Sequence, residues 1–447
     1  MIKSFFTLPD PELTQESSFD PMGIMPIWMY YGQQVFGDKL TTTANDVRIY
    51  TFDLFHHYII FDLFRKHLDE IVIAKHKFKN WQRDAEVKTG MLMLLEDLVV
   101  HIFYLEGANK NEIENIGILG YSKARQLHNT TGIDKIMLTA SKNSGLLKNQ
   151  LNLGMTGRYK GPMMNMRYFD RSFAYIPETW EHVSTLFEKW AEAKELKDLL
   201  TKLVLKLVLP SKNKIAPSIS LQDIKIANLW RPISNSYLNC FGKKKLPKLV
   251  QFYWRDKLGL NSGAPTVLYS LIGQQKDNQN FDHKAIFQSS LKSLKSEPNE
   301  MAKVQRILDI EPFLSYSEYV ARYLSQPSVK KIQDEEEGLI QLRNKINQAA
   351  NFNLDTQVPR LSDLHRAMTA QGSLEFWLLS VLNYHKKINT DRGGNSWYDI
   401  ETNGSVKHNF SPTLNEKYNT IEKYLDRPFW FHTYYLETLR SIYQGIQ

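Results

Sequence analysis

NDVRIYTFDLFHHYIIFDLFRKHLDEIVIAKHK, residues 45–77, is the stretch on which the fold class turns. Val47, Tyr50, Leu54, Tyr58, Phe61, Phe64, Leu68 and Val72 recur three and four residues apart, which gathers them on one face of an α-helix and would scatter them across a strand. The same period continues downstream. Residues 81–105 place Met91, Leu94, Leu95, Leu98 and Ile102 along one stripe, and Asn109 offers a cap to a shorter helix in NEIENIGIL. Pro177 opens another helix running to residue 209, where Pro210 stops it. Glu188, Glu192, Glu195, Lys189, Lys194 and Lys197 are expected on its solvated face. Further helices are expected near 300–325, near 333–350 and over 362–387.

Two features depart from the helical period. Pro9, Pro11, Pro21 and Pro26, set among Phe5, Phe6, Trp28, Tyr30 and Tyr31, predict an irregular arm over roughly the first forty residues, because proline interrupts helical hydrogen bonding. SWYDI and SVKHNF flank ETNG, and Asn403-Gly404 suits a tight turn, so a hairpin is expected near 396–408. The expected fold is therefore mainly α: a multi-helix assembly with a proline-containing N-terminal arm and a small late β-hairpin. PSKNKIAPSIS, 210–220, reads as a linker between a helical domain, 1–209, and a mainly helical domain, 221–447, with weaker boundaries near GQQKDNQNFDH, 273–283, and SLKSEPNE, 293–300.

Composition narrows the function classes. At 447 residues, 42% hydrophobic and 23% charged, the chain has enough apolar content for a substantial core and is not broadly disordered. No apolar run approaches the roughly 18–20 residues of a membrane span, and the first residues carry no apolar signal core. A cytoplasmic protein without a membrane partner is expected. The single cysteine, Cys240, excludes internal disulfides and multi-thiolate zinc sites. No glycine-flanked nucleophilic serine and no cofactor motif stands out, so a non-catalytic protein without a cofactor is the leading expectation.

Charge is distributed unevenly. Residues 1–120 carry 11 Lys+Arg against 17 Asp+Glu, residues 121–171 carry 9 against 2, and residues 211–280 carry 11 against 3. Two basic zones in an otherwise balanced chain point to a polyanionic partner, since clustered like charge repels itself unless compensated. The first zone contains LNLGMTGRYKGPMMNMRYFDRSF, 151–173. It superficially fits a helix-turn-helix, but Gly157, Gly161 and Pro162 fall in the recognition helix, so it reads as a loop. Glycines there let backbone N–H groups approach an anion. Arg158, Lys160, Arg167 and Arg171 supply charge, and Tyr159 and Tyr168 supply stacking faces. GMTG also matches the short glycine loop of KH modules, without the helix context that module needs.

The second zone interleaves Lys243, Lys244, Lys245, Lys248, Arg255 and Lys257 with Trp230, Tyr237, Phe241, Tyr253 and Trp254. Within it, FYW at 252–254 reads as core. Nucleic-acid binding, DNA ahead of RNA, follows as the expected function, with further protein subunits as partners. In general character the chain resembles helical proteins of prokaryotic genome-defence loci, with no motif attached to that resemblance. An interaction scaffold for acidic proteins is the alternative.

Two smaller constellations remain. Asp53 with His57 and Asp97 with His101 each share a helix face, and could converge on a metal if their helices were neighbours. RPFWFH, 427–432, resembles the arginine, four residues, histidine spacing of HEPN-type ribonucleases. That resemblance implies that Arg427 and His432 act on a scissile phosphate, although Pro428 stands where that family usually has a polar residue.

Overall fold

The computed structural model describes residues 20–67, 85–109, 118–131, 135–137, 146–147, 154–205, 218–226, 228–242, 245–275, 281–355, 357–410, 419–426 and 430–446. In chain order the elements are α1 (Met25–Phe36), α2 (Val47–His67), α3 (Ala85–Asn109), α4 (Tyr121–Thr131), β1 (Lys135–Met137), α5 (Met155–Asn165), α6 (Pro177–Glu188), α7 (Ala191–Leu203) and β2 (Ser218–Ser220). There follow α8 (Leu221–Ile226), α9 (Trp230–Phe241), α10 (Lys248–Lys257), α11 (Gly263–Gln274), α12 (His283–Ser293), α13 (Pro298–Leu324), α14 (Glu336–Ala349), α15 (Pro359–Met368) and α16 (Leu374–Asp391). The chain ends with β3 (Tyr398–Ile400), β4 (Val406–His408), α17 (Ile421–Asp426) and α18 (Leu436–Ile446). The fold is mainly α.

Two compact units divide the chain. One joins Phe36–Lys276 to Glu437–Gln447, and the other joins Met1–Val35 to Asp277–Leu436. This partition differs from the one expected at 210–220. Ser218–Ser220 form β2, paired antiparallel with β1 through Ile136 and Ile219, while α7 packs on α9 across the segment. The apolar faces explain the difference: Leu196, Leu200 and Leu203 of α7 and Ile233, Tyr237 and Phe241 of α9 are all buried, a shared core that a domain boundary would expose. Residues 206–217 lie outside the described residues.

In the 36–276 unit, α2 is the central helix. Val47 to Phe64 are buried without interruption, so the helix is enclosed on every side by α3, α5, α6 and α7 instead of presenting one stripe. Its polar side chains are paired inside: His56 Nε2 lies 3.0 Å from the Tyr237 hydroxyl and His57 Nδ1 3.0 Å from that of Tyr175. The helix expected over 177–209 is two helices. Trp190 adopts an extended backbone between them and buries its ring against Phe187 and Phe241, at 6.2 and 5.4 Å, which ends one helix and starts the next. Lys197, expected on a solvated face, is buried and pairs with Glu188 at 2.8 Å and Asp62 at 3.6 Å.

In the 277–436 unit, Pro26 begins a helix rather than extending an irregular arm. Proline is tolerated in the first turn, and Asp20 caps it by accepting from the Ile24 and Met25 amides at 2.7 and 3.2 Å. Residues 1–19 lie outside the described residues. The helix expected over 362–387 is also split, at Gly372 (φ 132°), with Ser373 capping α16 through the Phe376 amide. The late hairpin is present, with Tyr398 opposite His408. Only Gly404 takes positive φ (79°); its N–H donates to Glu401 O while Glu401 N–H donates to Ser405 O, a turn closed by a glycine bulge. The centre of this unit is Glu311 on α13. It is buried and accepts from Trp28 Nε1 (2.6 Å), Tyr434 Oη (2.6 Å), Ser315 Oγ (2.7 Å) and the amides of Phe431 (3.0 Å) and His432 (3.4 Å). Burial pushes its carboxyl up to about 7 against the opposing effect of those donors.

Candidate nucleic-acid interface

The glycine-containing segment is helical from Met155, which corrects the loop expectation. Glu96 of α3 is buried and its carboxylate accepts the Met155 amide at the helix start. Arg158 N–H closes the first turn on Gly154 O at 3.1 Å. Burial of Tyr159, Pro162 and Met163 against the unit's core offsets the intrinsic cost of glycine and proline, about 1 and 3 kcal/mol respectively. The anion at the Met155 amide is therefore one of the protein's own side chains. Tyr159 is edge-on to Tyr50 at 4.4 Å and Tyr168 is fully buried, so neither offers a stacking face.

The cations divide into two groups. Lys160 lies with Nζ 4.2 Å from the Phe173 ring centre and Arg255 with its guanidinium carbon 5.4 Å from that of Tyr269. Burial lowers the Lys160 pKa. Both are committed to aromatic contacts, and Arg158 is half-buried. Arg167, Arg171, Lys245 and Lys248 are exposed, and Lys257 is half-buried. Lys243 and Lys244 lie outside the described residues. Arg167 itself sits at φ 64°, in the left-handed region.

The two basic zones meet in this unit. The hydroxyls of Tyr168 and Tyr253 are 2.6 Å apart, and Lys257 Nζ lies 6.0 and 5.8 Å from the centres of those two rings. Trp254 fixes α10 to α2 by donating to Thr51 Oγ1 at 2.8 Å. Lys257 thus lies at this junction, and exposed Arg167 directly precedes Tyr168 in the chain. Among the described residues of the unit, ion pairs join Arg48 to Asp46, Arg65 and Lys66 to Asp62, and Lys194 and Lys197 to Glu188. Among the described residues, no carboxylate is within ion-pair distance of the candidate cations. The division into units also separates charge: 36–276 carries 35 Lys+Arg against 23 Asp+Glu, while 1–35 with 277–436 carries 20 against 24.

One aromatic departs from expectation in the opposite direction. Trp254 is core and Tyr253 half-buried, as the run FYW suggested, but Phe252 is 63% exposed. The helical period holds the signal. Val250 and Trp254, four apart, mark the buried face of α10, and Phe252 between them falls opposite. Tyr237 and Phe241, also candidates for stacking, are buried in the core.

The described members of the other constellations are placed as follows. His57 Nε2 is 3.9 Å from Asp53 Oδ1, and its ring is enclosed by Phe169, Phe173 and Trp180. His101 turns to His128, with Nδ1 and Nε2 2.9 Å apart. Burial holds His57 well below its ordinary pKa, with Lys88 adding to the effect, and lowers His101 to about 4. Among the described residues no three His, Cys, Asp or Glu side chains are placed to hold a metal. His432 is buried, stacks on Trp28 at 5.4 Å, accepts the Tyr434 amide through Nδ1 at 3.0 Å, and is lowered to about 4 by burial. It is a core residue. Arg427 lies outside the described residues. Burial raises the Cys240 thiol out of the range of a reactive thiolate.

A pocket of about 210 Å³ in the other unit is lined by Tyr31, Arg306, Asp309 and Phe352 among others, but Arg306 already pairs with Asp355 at 3.4 Å. No helix among the described residues is long and apolar enough to cross a membrane. Comparison with protein-family models, with curated proteins and with solved structures finds no match to this chain.

Proposed function

We propose that the protein binds nucleic acid without cleaving it, through phosphate contacts made by the 36–276 unit. The observation that carries this reading is the junction at Tyr168 and Tyr253, which joins two basic segments distant in sequence and leaves their cations without described carboxylate partners. Clustered cations repel one another, and a polyanion removes that cost while releasing its own condensed counterions. Burial of Tyr159 and Tyr168 takes base stacking away from the 154–171 segment, so binding there depends on charge and ignores base identity.

The test is a titration of the purified full chain against labelled duplex DNA, single-stranded DNA and RNA over a range of salt. Affinity falls with salt along a log–log slope of about 0.9 per phosphate neutralised on a duplex and about 0.7 on a single strand. Arg167→Ala with Lys257→Ala lowers that slope by about 1 to 2. Lys292→Ala with Lys295→Ala, at exposed positions in the other unit, leaves it unchanged. Absent binding, or binding indifferent to salt, overturns the proposal in favour of a scaffold for acidic proteins.

A further inference from the structure

Phe252 is the large apolar side chain most exposed among those of the described residues, at 63%, and it stands in the most basic part of the chain. Leu249, three residues before it, is 41% exposed and shares its face of α10. Lys248, four residues before, is exposed on the same face, and exposed Lys245 precedes the helix. Arg255 and Asp256, three and four residues after, complete the face. An exposed phenylalanine in water is unfavourable, whereas the back of this helix is fixed by Val250, Trp254 and the bond to Thr51. The ring is therefore presented from a rigid support, with Lys248 one turn before it on the same face and exposed Lys245 three residues ahead of the helix.

We infer that Phe252 is a stacking platform for an unpaired base, with Lys245 and Lys248 holding the adjoining phosphates, so that the interface selects single-stranded over duplex nucleic acid. The inference rests on the function proposed above and specifies its substrate class. Charge complementarity decides the occupant. An apolar partner surface would have to strip water from the flanking lysines without pairing them, whereas a single strand offers a flat π-face with an anion on either side at each nucleotide. A duplex keeps its base faces stacked inside and cannot use the ring without distortion.

Anisotropy titrations of the full chain with a labelled oligothymidine and with a mixed-sequence duplex of the same length test this directly. The wild type binds the single strand more tightly. Phe252→Ala weakens single-strand binding roughly 5- to 100-fold, leaves duplex binding unchanged and leaves the salt slope intact, while Phe252→Trp retains or tightens it. Lys245→Ala with Lys248→Ala weakens both ligands and lowers the slope. Because the ring is exposed, unchanged circular dichroism and melting are expected for Phe252→Ala. Salt-dependent binding that Phe252→Ala does not alter, or alters equally for both ligands, defeats the stacking inference alone. No salt-dependent binding to either ligand defeats the proposed function, and this inference with it. A concentration-dependent dimer that Phe252→Ala dissociates assigns the face to a second copy of the chain and likewise overturns the inference.

Discussion

Glu311→Gln removes no volume, yet the geometry around this residue makes it a severe change. Oε1 accepts from Ser315 Oγ and the amides of Phe431 and His432, and Oε2 accepts from Trp28 Nε1 and Tyr434 Oη. Backbone amides and an indole can only donate. Whichever way the glutamine amide is turned, its NH₂ group faces at least one donor that cannot reverse its role. At pH near 6 the wild-type carboxyl, raised to about 7 by burial, is mostly neutral, so the comparison is between one proton, which Tyr434 can accept, and two fixed N–H bonds. With two donors left unpaired at about 1–3 kcal/mol each, the variant loses about 2–6 kcal/mol locally. The loss is concentrated at residues 430–436, because Tyr434 and Tyr435 hold φ of 45° and 64°, conformations that side-chain-bearing residues keep only under constraint. Hydrogen exchange of a peptide spanning that segment should therefore accelerate about 30-fold or more. Exchange within about threefold of the wild type would refute the donor geometry.

Acid should act unequally on the two units. In the 36–276 unit, burial lowers His56 to about 3 and His101 to about 4, so stability present above their unfolded pKa near 6.5 is lost as pH falls. That amounts to about 2 kcal/mol each between pH 7 and 5. In the other unit, equal losses at His385 and His432, both about 4, are offset by Glu311 and Glu318, raised to about 7 and 8, whose contribution grows as pH falls. Exchange rates corrected for intrinsic pH dependence should show the 36–276 amides deprotecting first, and the reverse order would contradict this assignment. Gly273→Ala should destabilise the 36–276 unit by about 1–3 kcal/mol, because a Cβ there would lie 2.5 Å from the Tyr443 hydroxyl and 2.7 Å from its ring; a melting temperature equal to wild type would show that Tyr443 moves aside without cost. Asp256→Asn should tighten nucleic-acid binding about 2- to 5-fold by removing the exposed carboxylate beside Phe252 and Lys257, and unchanged affinity would place the ligand elsewhere.

The helical class was legible because period three and four survives any tertiary arrangement: α2 and α14 lie within the expected stretches, and α3 and α13 overlap theirs, α3 ending four residues later and α13 starting two residues earlier than expected. The breaks were not legible. Trp190 ends a helix through a ring contact with Phe241, and Glu96 licenses a helix through Gly157 and Pro162 from a position some sixty residues upstream. Both are tertiary effects that override local propensity. At the candidate interface the sequence supplied the cations and misassigned the rings. Tyr159 and Tyr168 carry polar hydroxyls suited to an edge of the core, where Asp46 and Tyr253 receive them, whereas Phe252 has no polar atom and is nonetheless outside. Composition alone favours the opposite placement.

The uneven charge of the sequence acquires a physical meaning once burial is considered. Among the acids of the first third, Asp53, Asp62, Glu96 and Asp97 are buried, Glu96 at the start of α5 and Asp62 with Lys66 and Lys197. Asp62 is balanced locally by Lys66 and Lys197, whereas a buried carboxylate without a cationic partner still contributes to the potential outside. Buried cations of the same unit, Arg48, Lys88 and Lys197, offset part of this, but Arg167, Arg171, Lys245 and Lys248 stay at the surface. The 36–276 unit thus keeps these cations exposed on a chain composition of 35 Lys+Arg against 23 Asp+Glu, whereas the composition of the other unit is net acidic. If that surface is the functional one, then Asp62→Asn, which removes an internal acid, should unfold or loosen α7 through Lys197 before it changes affinity for a polyanion. A variant that keeps its exchange protection at 191–203 and yet binds more tightly would show that the internal acids act on the ligand directly, and that burial does not separate the two roles.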